Sequence, residues 1–361
     1  MPSPFPASAS TPGSGTVHLT LLPPTTPSFT TLTYAYPLKL LPSSPHILQP
    51  DSSSADTNPS SKEPSTHGSP RPLTPLTVPL LFILTYGGGL LPTDHISLTL
   101  TLSPSTRLTL LTQGSTKIYK PPSPSHPQTS SQTLSCTLHP HSALWYAPHP
   151  TQPFAGSFYT QTQVFELHEG ASLGLLDWVS EGRRARGESW ALGGWRGRNE
   201  VWVADKSKEG KENAPTEGRK ERKRLLLRDS VILSGEGLKS KMENLGVFGT
   251  LILTGPLVQR LADFFLSEFG LLPRIGSRDW GAEGSAEPTL EGREKWRKER
   301  QEREKRDGIL WTVAKVRGGR ATVVKFGARD VEGGREWLGG MLREEGTVGR
   351  EFGPGGLMGV S

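Results

Sequence analysis

The sequence predicts a mainly β protein with a few α-helices towards its C-terminus, and three observations carry that reading. Short segments rich in Thr, Leu and aromatic residues recur roughly every ten to fifteen residues, with Gly, Pro or Ser turns between them. That spacing favours an antiparallel or solenoid-like body over βαβ units. Within it, 96–102 alternates strictly, placing Ile96, Leu98, Leu100 and Leu102 on one face and Ser97, Thr99 and Thr101 on the other. Helical apolar spacing enters only late, at Leu257, Leu261, Phe264, Phe265 and Phe269, behind the start signal Thr254-Gly255-Pro256. No repeat of fixed period is visible, so any solenoid is irregular.

Taken in order, residues 1–15 are rich in Pro, Ser and Ala and are expected to be disordered. Strands are expected at 16–22 and 31–41. From 42 to 75 large apolar residues almost vanish, and such a stretch cannot offset the entropy of ordering, so it reads as a flexible insert. Strand 78–84 runs into Gly87-Gly88-Gly89, and 96–102 and 107–112, joined at Pro104-Ser105, read as a hairpin. Further strands are expected at 132–138, 142–146, 158–167, 171–179, 198–204, 225–233, 309–316 and 321–326. Segments 205–224 and 281–307 are charged inserts, with 292–307 either helical or disordered, and 331–343 is a last helix with Trp337, Leu338 and Leu342 inward. One domain thus spans 16–345, and the Gly-rich 346–361 is a flexible tail.

Composition narrows the function classes. The formal net charge is +6, but the excess of basic residues sits in 205–224 and 293–306, so it marks solvated inserts and not a nucleic-acid face. Cys136 is the only cysteine among 361 residues, which excludes an internal disulfide, a Cys-rich zinc site and an iron–sulfur cluster. A reducing compartment fits, and with no apolar run long enough for a membrane span and no secretory start, a cytoplasmic protein is expected.

Chemistry-bearing residues are few. Three glycines after an apolar strand mark a backbone that needs positive φ or a close neighbour, so Gly87, Gly88 and Gly89, with Gln113 and Gly114, are expected to build a β-corner. Gly114-Ser115-Thr116-Lys117 is not a phosphate loop, because its Lys follows the hydroxyls and lies among strands. Asp94 and Lys117 stand at the edges of apolar strands; Asp177 precedes Trp178, and Glu188 lies near Trp190. These four are the candidate site residues, since a charge beside apolar segments needs a partner or a purpose. His139, His141 and His149 match no metal-ligand spacing, and no Gly-x-Ser-x-Gly elbow or other catalytic constellation is present. No enzymatic activity is expected.

Several segments, in order, resemble the urease accessory protein UreD family, called UreH in some bacteria. They are Tyr36-Pro37-Leu38-Lys39-Leu40; Leu84-Thr85-Tyr86-Gly87-Gly88-Gly89-Leu90 with Asp94; and Leu111-Thr112-Gln113-Gly114-Ser115-Thr116-Lys117-Ile118-Tyr119. Gln152-Pro153-Phe154 with Tyr159 and Gln161, then Asp177-Trp178 leading to Gly182-Arg183 and Gly187-Glu188, complete the set. The inserts resemble those of fungal-type members. Thr93 stands where the family usually has Gly, and Ala147-Pro148-His149-Pro150 replaces an acidic Pro-Asp-Pro. The resemblance implies an irregular β-helix-like body and a non-catalytic scaffold that binds apo-urease on one side and UreF on the other. UreF would hold the GTPase UreG. Nickel would be cargo moving through an internal water-filled tunnel, with no cofactor permanently bound. On that reading Asp94, Asp177 and Glu188 line or gate the passage with Lys117 as counter-charge, and Phe264, Phe265 and Trp337 serve packing or UreF docking. The alternative is a β-rich module binding carbohydrate or peptide through its nine tryptophans.

Overall fold

The computed structural model describes residues 11–23, 25–48, 75–123, 126–204, 223–272 and 292–360. Strands β1 (Ser14–Leu22), β2 (Thr26–Tyr34), β3 (Leu38–Leu48), β4 (Leu76–Thr85), β5 (Gly89–Leu90) and β6 (His95–Leu102) come first. They are followed by β7 (Arg107–Thr112), β8 (Lys117–Ile118), β9 (Thr129–Leu138), β10 (Ala143–Tyr146), β11 (Gln152–Pro153), β12 (Phe158–Leu167) and β13 (Ser172–Ser180). After β14 (Gly194–Ala204) and β15 (Lys223–Ser234) come the short helix α1 (Leu238–Lys241), β16 (Val247–Thr254) and α2 (Gln259–Gly270). The chain ends with α3 (Arg293–Asp307), β17 (Leu310–Val316), β18 (Ala321–Ala328), α4 (Val331–Glu345) and α5 (Thr347–Phe352). The protein is mainly β, with its helices towards the C-terminus.

The strands form an eight-stranded sheet ordered β17-β18-β16-β13-β10-β7-β4-β3, a seven-stranded sheet ordered β15-β14-β12-β9-β6-β1-β2, and a small sheet β11-β8-β5. From β4 the chain steps from the eight-stranded sheet to the small sheet to the seven-stranded one, and it repeats that circuit from β7 and from β10. Strands one circuit apart pair in parallel in all three sheets. Both large sheets are open and finish in antiparallel edge strands at each end.

The burial of each strand follows from what covers it. The seven-stranded sheet has one covered face, so β12 reads as half-buried alternation, and Leu98, Leu134 and Phe165 point to Leu108, Leu144 and Leu175 of the facing sheet. The eight-stranded sheet is covered twice, and every residue of β13 is buried. Its other face carries Trp145, Trp178, Leu251 and Phe326, packed by Phe265 of α2 and by Trp337 and Leu338 of α4.

Four expectations are corrected. The hairpin over 96–112 does not form: β6 and β7 lie in different large sheets, because an alternating apolar face does not distinguish a neighbour in the same sheet from a partner across the core. The strand expected over 31–41 is two, broken at Ala35-Tyr36-Pro37 where the chain changes sheet. The flexible tail from Gly346 is instead α5 and a packed end in which the Trp145 indole donates to Gly356 O at 2.8 Å and Val360 is buried. Of the three inserts, 49–74, 205–222 and 273–291 lie outside the described residues, as do residues 1–10, but 42–48 belongs to β3 and 293–307 is helix α3.

Helix α3 is charged nearly all round, and ion pairs hold it. The Glu268 carboxylate of α2, 1 % exposed, accepts from Arg297 Nε and Nη2 at 2.9 and 3.0 Å and from Arg300 at 3.4 Å. Arg300 also pairs with Glu304, which accepts from the Trp337 indole at 2.8 Å. Phe264, Phe265 and Trp337 are all buried, so they pack the core and are not a docking face. Among the described residues no helix is long and apolar enough to cross a membrane.

Candidate functional site

The glycine corner is set by backbone geometry. Gly87 and Gly88 take φ of 76° and 70°, and Gly114 takes 81°, values that L side chains resist. Gly89 pairs with Lys117 between β5 and β8, where a Cβ would collide with the Lys117 carbonyl. Gln113 is exposed, and the Thr112 hydroxyl donates to Gly114 O at 3.1 Å. At the same corner Asp94 closes its own turn, its Oδ2 accepting from Leu91 N at 2.8 Å. Thr93, just before it, sits at φ 74°, in the left-handed region that is hardest for a β-branched residue. Thr93→Gly should therefore raise stability by roughly 0.5–1 kcal/mol, read from the urea midpoint at constant m-value. A fall would mean that the Thr93 side chain holds the turn.

Three of the four candidate site residues lie on the outside. Asp94 is half-exposed in its turn, and Lys117 is exposed beside Gly88. Glu188 is clamped by Arg183, whose Nε is 2.9 Å away, and accepts from Ala155 N at 3.1 Å. The hydrogen bond from Arg183 holds the Glu188 carboxyl below its ordinary pKa. The Arg183 guanidinium in turn lies 3.8 Å from the centre of the Phe154 ring. The structure therefore does not bring the four together.

Asp177 alone is inside. It projects from β13 into a small polar cavity between the large sheets, with room for about one water, lined also by Thr112, His149, Tyr159, Gln161 and Gln163. Its Oδ1 accepts from Gln161 Nε2 at 2.9 Å and its Oδ2 from Asn199 Nδ2 at 2.7 Å, while the Tyr159 hydroxyl donates to Gln161 Oε1 at 3.2 Å. Burial pushes the Asp177 carboxyl above its ordinary pKa, although the two amide hydrogen bonds pull the other way. Burial likewise raises the Tyr159 hydroxyl. A carboxylate whose two oxygens meet only amide donors is an attractive but shallow resting place for a cation.

The histidines read as bystanders divide. His139 stacks on His168 with ring centres 4.9 Å apart, and His141 packs at Gly170. His149 is on the cavity wall, with its Nδ1 2.9 Å from Thr112 O, and burial lowers its pKa. Among the described residues no three His, Cys, Asp or Glu side chains are grouped so as to hold a metal ion. Sequence reasoning missed Gln163 and Asn199. A signal existed: Gln161 and Gln163 share the period-two phase of Tyr159, Phe165 and Leu167, so two amides are aimed into an apolar interior.

Fold and cavity together define a β scaffold with a polar cavity in its apolar core, and comparison with known proteins says which one. The family described as UreD urease accessory protein matches residues 61–351, and the chain belongs to that family. It is 30 % identical to "Urease accessory protein 4" of Cryptococcus neoformans var. grubii, over 90 % of this chain and 88 % of that one. It is 28 % identical to an "Uncharacterized urease accessory protein ureD-like" of Schizosaccharomyces pombe, over 74 % of this chain and 82 % of that one. With the "Urease accessory protein UreD" of an Anaeromyxobacter species it shares 33 % identity, over 57 % of this chain and 63 % of the relative.

Proposed function

We propose that this protein serves in urease maturation as a non-catalytic cytoplasmic scaffold that binds apo-urease and UreF, with UreG held through UreF, and passes Ni²⁺ to urease as cargo. The observation that carries the reading is the Asp177 cavity, in a chain whose family is that of urease accessory proteins. Nickel held by imidazole or thiolate clusters is slow to leave, whereas single carboxylates, amide oxygens and water let it go. Asp177 attracts the cation, and the amides beside it take part without trapping it. Asp94, Lys117 and Glu188 act at most at the outer surface, since each lies outside the cavity. We also read the body as an irregular β-helix-like solenoid, supported by the three circuits of parallel strands. The carbohydrate- or peptide-module alternative is weakened, because Trp145, Trp178, Trp190, Trp195 and Trp337 are buried and Trp202, Trp296 and Trp311 are half-buried.

The test is a pull-down of apo-urease with the full chain and its accessory partners, followed by measurement of urease nickel. Co-purification and chain-dependent nickel uptake are expected. Full metallation without the chain, or no capture of apo-urease, would reject the function.

A further inference from the structure

A row of oxygens with no donor runs over three adjacent strands at one end of the seven-stranded sheet. Gln163 of β12, Asn199 of β14 and Asp229 of β15 stand in register, Gln163 beside Asn199 and Asn199 beside Asp229, so all three point to one side. That side is the interior, because Asn199 reaches Asp177 of the facing sheet. Gln163 and Asn199 are each 1 % exposed, and the Asp229 side chain is 12 % exposed. Each leaves one buried oxygen, Gln163 Oε1, Asn199 Oδ1 and Asp229 Oδ2, that accepts no hydrogen bond. One such orphan costs about 1–3 kcal/mol, and native proteins keep few. Three in a line call for a common explanation. Adjacent strands are about 4.8 Å apart, a gap that one water spans with contacts of about 2.8 Å on either side.

The outer end of the row is closed by a cation. Lys325 of β18 places its ammonium 2.7 Å from Asp229 Oδ1 and 3.2 Å from Thr250 Oγ1, against the Phe248 ring. Thr250 pairs with both Asp177 and Lys325 in the eight-stranded sheet, so the two sheets carry matching polar lines from the Asp177 cavity to the Lys325 edge. The Lys325 side chain is 34 % exposed, which leaves it room to swing outward.

We propose that Gln163, Asn199 and Asp229 form a weak, oxygen-only site for a hydrated divalent cation, continuous with the Asp177 cavity and plugged by the Lys325 ammonium. Amide and carboxylate oxygens are the donor set for Mg²⁺ and Mn²⁺ and hold Ni²⁺ loosely. A metal entering the row displaces the ammonium from Asp229, and the ammonium returns when the metal leaves. This deepens the nickel reading by giving the cavity an exit at Lys325, and it rests on Asp177 meeting the cargo.

The probe is Ni²⁺ alone, titrated calorimetrically into the full chain. Lys325→Met should tighten binding about tenfold by removing the competing charge, and Lys325→Arg should not. Asp229→Asn should weaken binding about tenfold, and Gln163→Met, which deletes one orphan oxygen at near-constant volume, should weaken it about threefold. Unchanged binding in Lys325→Met and Asp229→Asn would overturn the site. Should Lys325→Met fail to fold, Gln163→Met decides: a variant more stable than its parent with unaltered Ni²⁺ binding would make the row a packing defect. Altered Ni²⁺ binding with no nickel reaching urease would reject delivery and keep the site. Delivery by all variants with unaltered binding would do the reverse.

Discussion

Asp177→Asn is expected to reduce nickel transfer to urease to background while leaving the protein as stable as its parent or more so at neutral pH. Burial raises the Asp177 carboxyl above its ordinary pKa, so the native state keeps that proton to higher pH than the unfolded chain does. Stability then falls as pH rises from the unfolded value through the folded one, and the full cost of the buried charge is present above it. Asparagine never ionises, so the variant's advantage should grow across that window and level off beyond it. The substitution is also sterically mild: Asn199, whose Oδ1 has no donor, can turn its amide over to accept from the new side chain. Urea midpoints between pH 4 and pH 8, with urease nickel measured in parallel, read both effects. A variant whose stability deficit grows as pH rises would show that the charge stabilises the fold and was not retained for transport.

Glu268→Ala should cost about 3–5 kcal/mol, because it takes from Arg297 and the buried Arg300 their shared carboxylate and leaves Arg300 with Glu304 alone. The loss should be local before it is global. Helix α3 meets α2 and α4 through these ion pairs and a few ring contacts, such as Trp296 on Phe264. Burial pushes the Glu268 carboxyl up, but the Arg297 hydrogen bond and the charges of Arg297, Arg300 and Arg293 hold it below its ordinary pKa. Its contribution is therefore full above the unfolded carboxylate range and is lost as pH falls through the folded value. Hydrogen exchange over 293–307 should show α3 losing protection first, both in Glu268→Ala at neutral pH and in the parent at acid pH. Loss of protection spread evenly over the chain would place the effect elsewhere.

What was legible in the sequence was whatever a period reveals. The alternation over 96–102, the strand at 158–167, the α2 stripe and the glycine corner are all local patterns, and each stands within a few residues of where it was read. Sheet membership is not local. A strand such as β6 carries the same apolar phase whether its partner is beside it or opposite, and β5, β8 and β11, two residues each, are too short to show a period at all. Among the candidate residues, the interior place of Asp177 was legible because a carboxylate after Leu173-Gly174-Leu175-Leu176 is conspicuous. Asp94 and Glu188 looked alike in sequence but answer to partners three and five residues away, Leu91 and Arg183. Asp229 and Lys325 meet across 96 positions and two sheets, and no spacing announces such a pair.

The winding from β4 to β13 also explains where the chain tolerates extra length. Segments 49–74, 205–222 and 273–291 interrupt the connections β3–β4, β14–β15 and α2–α3, and every one of these lies before the first circuit or after the last. Within the coil, a lengthened link would have to be absorbed without shifting the stacked strands above and below. Outside it, a longer connection has no stacked strands to displace, and the entropy cost of closing a connection rises slowly with its length. Length added at the ends and edges thus leaves the stacked strands and the cavity between the sheets aligned.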